Sequence, residues 1–266
     1  MTSEHVSHAG LTAQVFDGIA NEYALGQATR LDVARVPELV AATQEDVALD
    51  VATGTGALAT ALAPAVRCVI AADISDGMLD VAKERAAGLR SPVFLNASAE
   101  SLPFADRQFQ IVTCSRALHH MVDPAAAINE MARVLEFGGR LLIVDNITYE
   151  EGELARKHNE LERLRDPSHA QTLTLTALER MIGDAACTVK STDVTSSTRP
   201  LAQWLADAGR PFETSEPAVE FVDRGLSSDD DFFARHVSVD EQGEKILSHR
   251  TAWILAERTT EEPFNG

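Results

Sequence analysis

The chain is poor in aromatic residues, in cysteine, in positive charge and in long apolar runs, and each shortage removes a class of protein. Phe, Trp and Tyr supply 5% of its 266 residues, whereas hydrophobic residues as a whole reach 45%. That balance excludes a disordered chain and describes an aliphatic globular core. Against 23 Lys and Arg stand 41 Asp and Glu, a net charge of −18. Such a surface repels phosphate backbones and anionic lipid headgroups, so neither nucleic acid nor a membrane is an expected partner. Cys68, Cys114 and Cys187 are odd in number, far apart and set in or beside apolar runs, which is how small buried thiols are used in a reducing compartment. The start MTSEHVSHAG has no basic segment leading into an apolar stretch, and no run approaches the ~20 apolar residues that span a bilayer. These absences predict a soluble cytoplasmic protein, for which a homodimer stays open.

What is present reads as one domain with insertions. Residues 1–45 form an N-terminal helical segment: from Leu11 to about Glu45, Leu31, Ala34, Val36, Leu39 and Val40 fall near one face, with Pro37 interrupting. Between 46 and 147, apolar runs at Val47–Ala52, Cys68–Asp73, Val93–Ala97, Phe109–Ser115 and Arg140–Asn146 alternate with helical patterns near Ala57–Ala63, Gly77–Ala87 and Ala125–Leu135. Alternation of this kind, with the runs apolar on both faces, predicts an α/β fold with a doubly wound, mostly parallel sheet. Residues 148–258 continue the domain with helical patterns from Glu150 to Ala186, a strand at Val189–Ser197 and a last strand at Ala252–Ala256. Before that last strand, Trp204, Leu205, Phe212, Phe221, Phe232 and Phe233 gather within about 35 residues, read as a helical cap over a substrate pocket with Trp204 as a contact. The competing reading is an ordinary helical edge of the core. Residues 259–266 read as a frayed tail.

The first predicted strand runs into Asp50-Val51-Ala52-Thr53-Gly54-Thr55-Gly56, and glycines at a strand-to-helix turn let the backbone pass close to a ligand. The second strand ends at Asp73. At the C-terminal edge of a parallel sheet its carboxylate can accept two hydrogen bonds from a ribose diol. Gly54-x-Gly56-x-x-Ala59 also matches the dinucleotide fingerprint, so an NAD-dependent oxidoreductase competes. Acidic Asp50 favours a cationic ligand over a diphosphate, because like charge beside a phosphate is costly.

The stretch from Ala48 to Ile147 resembles the class I S-adenosylmethionine-dependent methyltransferases of the UbiE or type 11 kind, which include the ubiquinone and menaquinone methyltransferases. Four motifs agree in order. Asp50-x-x-x-Gly54-x-Gly56, with Ala52 and Thr53, resembles the loop around the methionine moiety, and Ala72-Asp73-Ile74-Ser75 with Met78 resembles the ribose and adenine segment. Ser98 precedes Ala99-Glu100-Ser101-Leu102-Pro103-Phe104, which is similar to the segment at the adenine ring, and Arg133-Val134-Leu135-Glu136-Phe137-Gly138-Gly139-Arg140-Leu141 is similar to the family's "RVLKPGG" turn. The family usually carries an acid where Ser98 stands, an Asp where Gln110 stands and a proline where Phe137 stands; a serine oxygen can still accept the adenine amino group, more weakly. The resemblance implies a Rossmann-like, seven-stranded sheet, S-adenosylmethionine as cofactor with S-adenosylhomocysteine as product, and methyl transfer to carbon or oxygen of a small-molecule acceptor. A protein that binds the cofactor but methylates nothing is the alternative. Val15-Phe16-Asp17-x-x-Ala20-x-x-Tyr23 is similar to the segment that folds over the cofactor in relatives, with Phe16 and Tyr23 as shields of the sulfonium, Tyr23 on the cofactor side and Phe16 also toward the substrate. Arg163-Leu164-Arg165-Asp166-Pro167-Ser168-His169 resembles an "RDPSH" signature of a subgroup.

Methyl transfer is an in-line displacement, and a hydroxyl or acidic carbon must also lose a proton. Loops after parallel strands line the ligand crevice, which brings forward Cys114-Ser115-Arg116-Ala117-Leu118-His119-His120, with Ser115 at the cofactor and His119 or His120 as the base. Packing beside the cofactor is the competing role for the histidines. As a metal site the pair is poor, since adjacent side chains on a helix point apart, and no metal is expected. Asp145 and Asn146 end the fifth strand and are pocket candidates. His169 and Arg165 suit either an acceptor anion or a helix-end ion pair, the latter favoured for Arg165.

Overall fold

The computed structural model describes residues 7–27, 31–208 and 215–259, and the side chains of all of these but residues 22–27. Helix α1 (His8–Gln27) leads to a 3-10 turn at Val33–Arg35 and short α2 (Val36–Leu39). Pro37 lies in the first turn of α2, where its missing N–H costs nothing, instead of interrupting a longer helix. Then follow β1 (Val47–Val51), α3 (Ala57–Leu62), β2 (Cys68–Asp73), α4 (Asp76–Arg85), β3 (Val93–Asn96), β4 (Phe109–Ser115), α5 (Pro124–Val134) and β5 (Leu135–Asn146). The remainder is α6 (Gly152–Arg165), α7 (Leu175–Asp184), β6 (Cys187–Pro200), α8 (Leu201–Ala206), α9 (Glu216–Leu226), α10 (Asp231–His236), β7 (Val237–Val239) and β8 (Lys245–Arg258).

The main run of the sheet is β3-β2-β1-β4-β5-β8-β6. Strands β1 to β5 are parallel, and β8 pairs antiparallel with both β5 and β6. This is the expected Rossmann-like arrangement. Short β7, which alternation did not reveal, pairs with β8. After β3 the chain returns to the far side of β1 to lay down β4, so the strand order reverses between β1 and β4 and a crevice opens outside their carboxyl ends.

In β1, β2, β4 and the second half of β5, strand residues alternate between two buried faces, which is why these runs are largely apolar. Leu49, Val51, Val112, Cys114, Leu141 and Ile143 join Ile128, Met131, Leu178 and Ile182 of α5 and α7 on one side. Ala48, Ile111, Leu142 and Val144 meet Leu58 and Leu62 of α3 and Val36 of α2 on the other.

Between β6 and β8, Trp204, Phe221, Phe232 and Phe233 are buried with Leu154 and Leu161 of α6 in a third core, as in the competing reading of a helical edge, and Trp204 also lines a polar chamber beside the cavity; Phe212 lies outside the described residues. Among the described residues, no helix is long and apolar enough to cross a membrane.

Candidate active site

The turn after β1 is shaped by one buried carboxylate. Thr53 Oγ1 donates to Asp50 Oδ2 at 2.5 Å, the Ala59 amide reaches the same oxygen at 3.2 Å, and Thr113 Oγ1 donates to Oδ1 at 2.6 Å. Burial pushes the Asp50 carboxyl up to about 6, against these three donors. With both oxygens engaged inside the loop, Asp50 does not reach the cavity wall as a ligand contact. It ties the turn to β4 and to the start of α3. Gly56 is likewise withdrawn from the cavity: it caps α3 at φ 77°, and a Cβ there would meet Ala82 Cβ of α4 at 2.9 Å.

Gly54 and Asp73 do face the ligand space. The Gly54 amide donates to Asp73 Oδ2 at 2.7 Å and the Ser75 amide to Oδ1 at 2.9 Å. Burial raises the Asp73 pKa, opposed by the amides of Ser75 and Gly54. The two donors fix the carboxylate's orientation and leave each oxygen further lone pairs for a diol. They also place negative charge on the loop amide that a pyrophosphate would need, which sets the site against a dinucleotide.

A cavity of about 300 Å³ opens at this point. Its wall includes Ala52, Thr53 and Gly54 after β1, Asp73, Ile74 and Met78 at the β2–α4 junction, Ser98, Ala99 and Glu100 after β3, and Ser115 after β4. Phe16 of α1 and His120 close the side nearest β4. No Cβ stands at Gly54, and nothing lies within 4 Å of the place one would take. A glycine bordering open space, a fixed carboxylate and an apolar floor at Met78 could hold a nucleoside cofactor with an amino-acid tail, its sugar at Asp73, its tail at Gly54 and its base toward Ser98 to Glu100. The cavity wall also holds Ser7, His8, Thr12, Met121 and Val122, none foreseen from the sequence, and Arg116, which lay in the segment singled out after β4 without a role of its own. The Tyr23 side chain lies outside the described ones.

Helix α1 is held over the cavity by a residue that the sequence reading passed over. Asp17 Oδ1 accepts from Ser75 Oγ at 2.6 Å and from the Gly77 amide at 2.9 Å, at the positive N-terminus of α4. His8 Nε2 donates to the His120 carbonyl at 3.0 Å.

Beyond β4 the wall turns polar. Leu118–His120 form a 3-10 turn, and this tighter geometry brings the rings of His119 and His120 to 4.2 Å between centroids instead of pointing them apart. His119 Nδ1 donates to Asp145 Oδ1 at 2.6 Å. Burial lowers the His119 pKa, but Asp145 more than offsets this and the net shift is upward. Asp145 shifts downward: burial raises it, and His119 outweighs burial. His120 is pulled down to about 4, by burial first and then by the charge on His119. Its Nδ1 donates to the Ser168 carbonyl at 3.2 Å, and Ser168 Oγ in turn donates to Asp166 at 2.6 Å. The Arg163–His169 segment thus lies against the histidine pair.

Two small polar chambers of about 40 Å³ each adjoin the cavity. His119, His120, Asn146 and His169 line one of them, and Asn146 and Trp204 line the other. Asp145 lines neither, because its carboxylate lies behind His119. His169 is 4% exposed, and its Nε2 donates to Asn159 Oδ1 at 2.9 Å. Trp204 is 1% exposed under the Arg165 guanidinium, which pairs with Glu162 at 3.3 Å, the structural alternative for Arg165. Among the described residues, no group of three His, Cys, Asp or Glu is placed to hold a metal ion.

Comparison with known proteins agrees with this geometry. A family model described as "Methyltransferase domain" matches residues 49–143. The chain is 32% identical over 202 residues to YcgJ of Bacillus subtilis strain 168, an uncharacterized methyltransferase, covering 74% of this chain and 78% of that protein. It is 36% identical to the ubiquinone/menaquinone biosynthesis C-methyltransferase UbiE of Shewanella frigidimarina, over 59% of this chain and 66% of that protein. The crystal structure of the B. subtilis YcgJ protein superposes with a TM-score of 0.79 at 27% identity, covering 86% of this chain and 98% of the other. Loop, carboxylate, sheet order and relatives converge: the chain belongs to the class I S-adenosylmethionine-dependent methyltransferases that carry this domain.

Proposed function

We propose that this methyltransferase works in the cytoplasm and transfers the methyl group to carbon or oxygen of a small-molecule acceptor. The supporting observation is the shape of the site: a nucleoside-sized cavity that shares Phe16, Arg116 and His120 with a polar chamber at the β4 end. Three free cysteines suit a reducing compartment, and the net charge of −18 disfavours nucleic acid as acceptor. The word C-methyltransferase in the name of the UbiE relative supports carbon as one target.

S-adenosylmethionine supplies an electrophilic methyl group and a sulfonium leaving group. On this reading the chain's residues do the remaining work. Asp73 holds the sugar, Gly54 gives the amino-acid tail room, and Phe16 keeps water from the side facing α1. His120 is the base. Its Nδ1–H is committed to Ser168, so Nε2 is the nitrogen that can accept a proton. Its lowered pKa keeps it neutral at working pH, and the cationic tendency of His119 beside Asp145 enforces that. The test is release of S-adenosylhomocysteine across a panel of phenols, quinol precursors and small acids. Turnover with at least one member, lowered about a hundredfold or more in His120→Gln, is the expected result. Turnover only on a protein or nucleic-acid acceptor would overturn the reading.

A further inference from the structure

Arg116 is the first residue past β4. Its amide donates to the Val144 carbonyl at 2.7 Å, and it sits at φ 54°, a left-handed conformation that costs a non-glycine residue about 1–2 kcal/mol. Arg116 is also the one residue common to the large cavity and both polar chambers. The other arginines of the chambers have carboxylate partners: Arg165 has Glu162 at 3.3 Å and Arg199 has Asp207 at 3.0 Å. Among the described residues the Arg116 guanidinium makes no hydrogen bond or ion pair, and its Nη1 is buried without one. A buried guanidinium nitrogen without an acceptor is costly, and the natural completion is an anion that arrives with a ligand.

We propose that Arg116 anchors a carboxylate on the methyl acceptor, so that the substrate is a small carboxylic acid held by its charged end in the polar chambers. This rests on the methyltransferase reading above. The volumes agree with it. The large cavity, at about 300 Å³, lies at the small end of ligand sites, so beside the cofactor it has room only for the reacting end of an acceptor. A space of roughly 10–15 Å³ holds one water, so chambers of about 40 Å³ have room for a carboxylate. The guanidinium fork matches a carboxylate with two parallel hydrogen bonds. Asn146 shares both chambers and can donate its side-chain amide to the same group. From there the rest of the acceptor extends past His120 and Phe16, which line both the first chamber and the cavity, toward Ser115. His120 is then beside the atom to be methylated, and the acid end is held away from it.

The same guanidinium could instead meet the carboxylate of the cofactor's amino-acid tail, and the experiment separates the two sources. Protein saturated with S-adenosylhomocysteine is titrated calorimetrically with benzoate, 4-hydroxybenzoate and 3-phenylpropionate, and with the neutral amide of each. At least one acid is expected to bind about tenfold or more tightly than its amide, the worth of a charge-assisted pair. Arg116→Gln should erase that preference and Arg116→Lys keep part of it, while both variants bind S-adenosylhomocysteine within about threefold of the parent. Thermal unfolding of each variant reports that it is folded, and Arg116→Lys carries the comparison if Arg116→Gln is not. Equal binding of acids and amides, or binding of neither, would overturn the proposal. So would a tenfold or greater loss of S-adenosylhomocysteine affinity in Arg116→Gln, which would assign the guanidinium to the cofactor. Failure of the parent protein to bind S-adenosylhomocysteine would instead remove the functional reading beneath it.

Discussion

Gly54 and Gly56 stand two residues apart in the same turn, both at positive φ, yet they answer different demands. Alanine at Gly56 must bear the left-handed strain and a contact of 2.9 Å with Ala82. Gly56→Ala should therefore destabilise the fold by about 2–3 kcal/mol, read by denaturant unfolding. Alanine at Gly54 meets nothing within 4 Å, so Gly54→Ala should cost only about 1–2 kcal/mol of folding. It borders the cavity, however, and its methyl group should weaken S-adenosylhomocysteine about tenfold or more by calorimetry. Equal loss of affinity at the two positions, after correction for unfolded protein, would contradict this division. Residues whose identity follows from local chain geometry, such as Gly54 and Asp73, were legible in the sequence. Asp50 was legible as important but not in its role, because its partners include Thr113, 63 residues away. Arg116 was legible by place, in the segment after β4, but not in its role, since neither its backbone conformation nor its unpaired guanidinium can be read from a residue name.

Among elements, α1 is the one that turns a crevice into a cavity. It contributes Phe16, Thr12, Ala9 and His8 to the wall, and Asp17 fastens it to the N-terminus of α4 through Ser75 and Gly77. An acid accepting from a helix N-terminus is worth about 1–2 kcal/mol. Asp17→Ala should therefore weaken S-adenosylhomocysteine about five- to tenfold and speed amide hydrogen exchange in α1, with little change at β1 or β4. Unchanged exchange in α1 would show that it is held by other contacts. Element types were mostly readable because strands buried on both faces and amphipathic helices leave different periods in the sequence. The region of α8 to α10 left two readings open for a physical reason: Trp204, Phe221, Phe232 and Phe233 follow the same spacing whether they face a ligand or one another.

At the scale of the whole molecule, burial of histidine sets the dependence of stability on pH. Burial pulls His120 to about 4, His169 and His249 to about 3 and His236 well below its usual value. These rings are neutral in the fold, whereas the unfolded chain takes up protons below about pH 6.5, so stability falls as pH falls through that value, by up to about 1.4 kcal/mol per unit for each ring. Asp50, raised to about 6, opposes this below about pH 6, and Asp73, also shifted upward, acts in the same sense. Four rings against two carboxylates leave a net loss, and the Tm should drop by about 5–10 °C between pH 6.5 and 5. A flat or rising Tm over that interval would contradict the burial of these rings in neutral form. The reversal of strand order between β1 and β4 places Gly54, Asp73 and His120 around one crevice, and cofactor capture at that crevice is the central claim. Calorimetric titration of the protein and of Asp73→Ala with S-adenosylhomocysteine tests it most directly. Micromolar binding by the parent and a loss of about thirtyfold or more in the variant are the predicted result, and equal affinity of the two proteins would contradict the account.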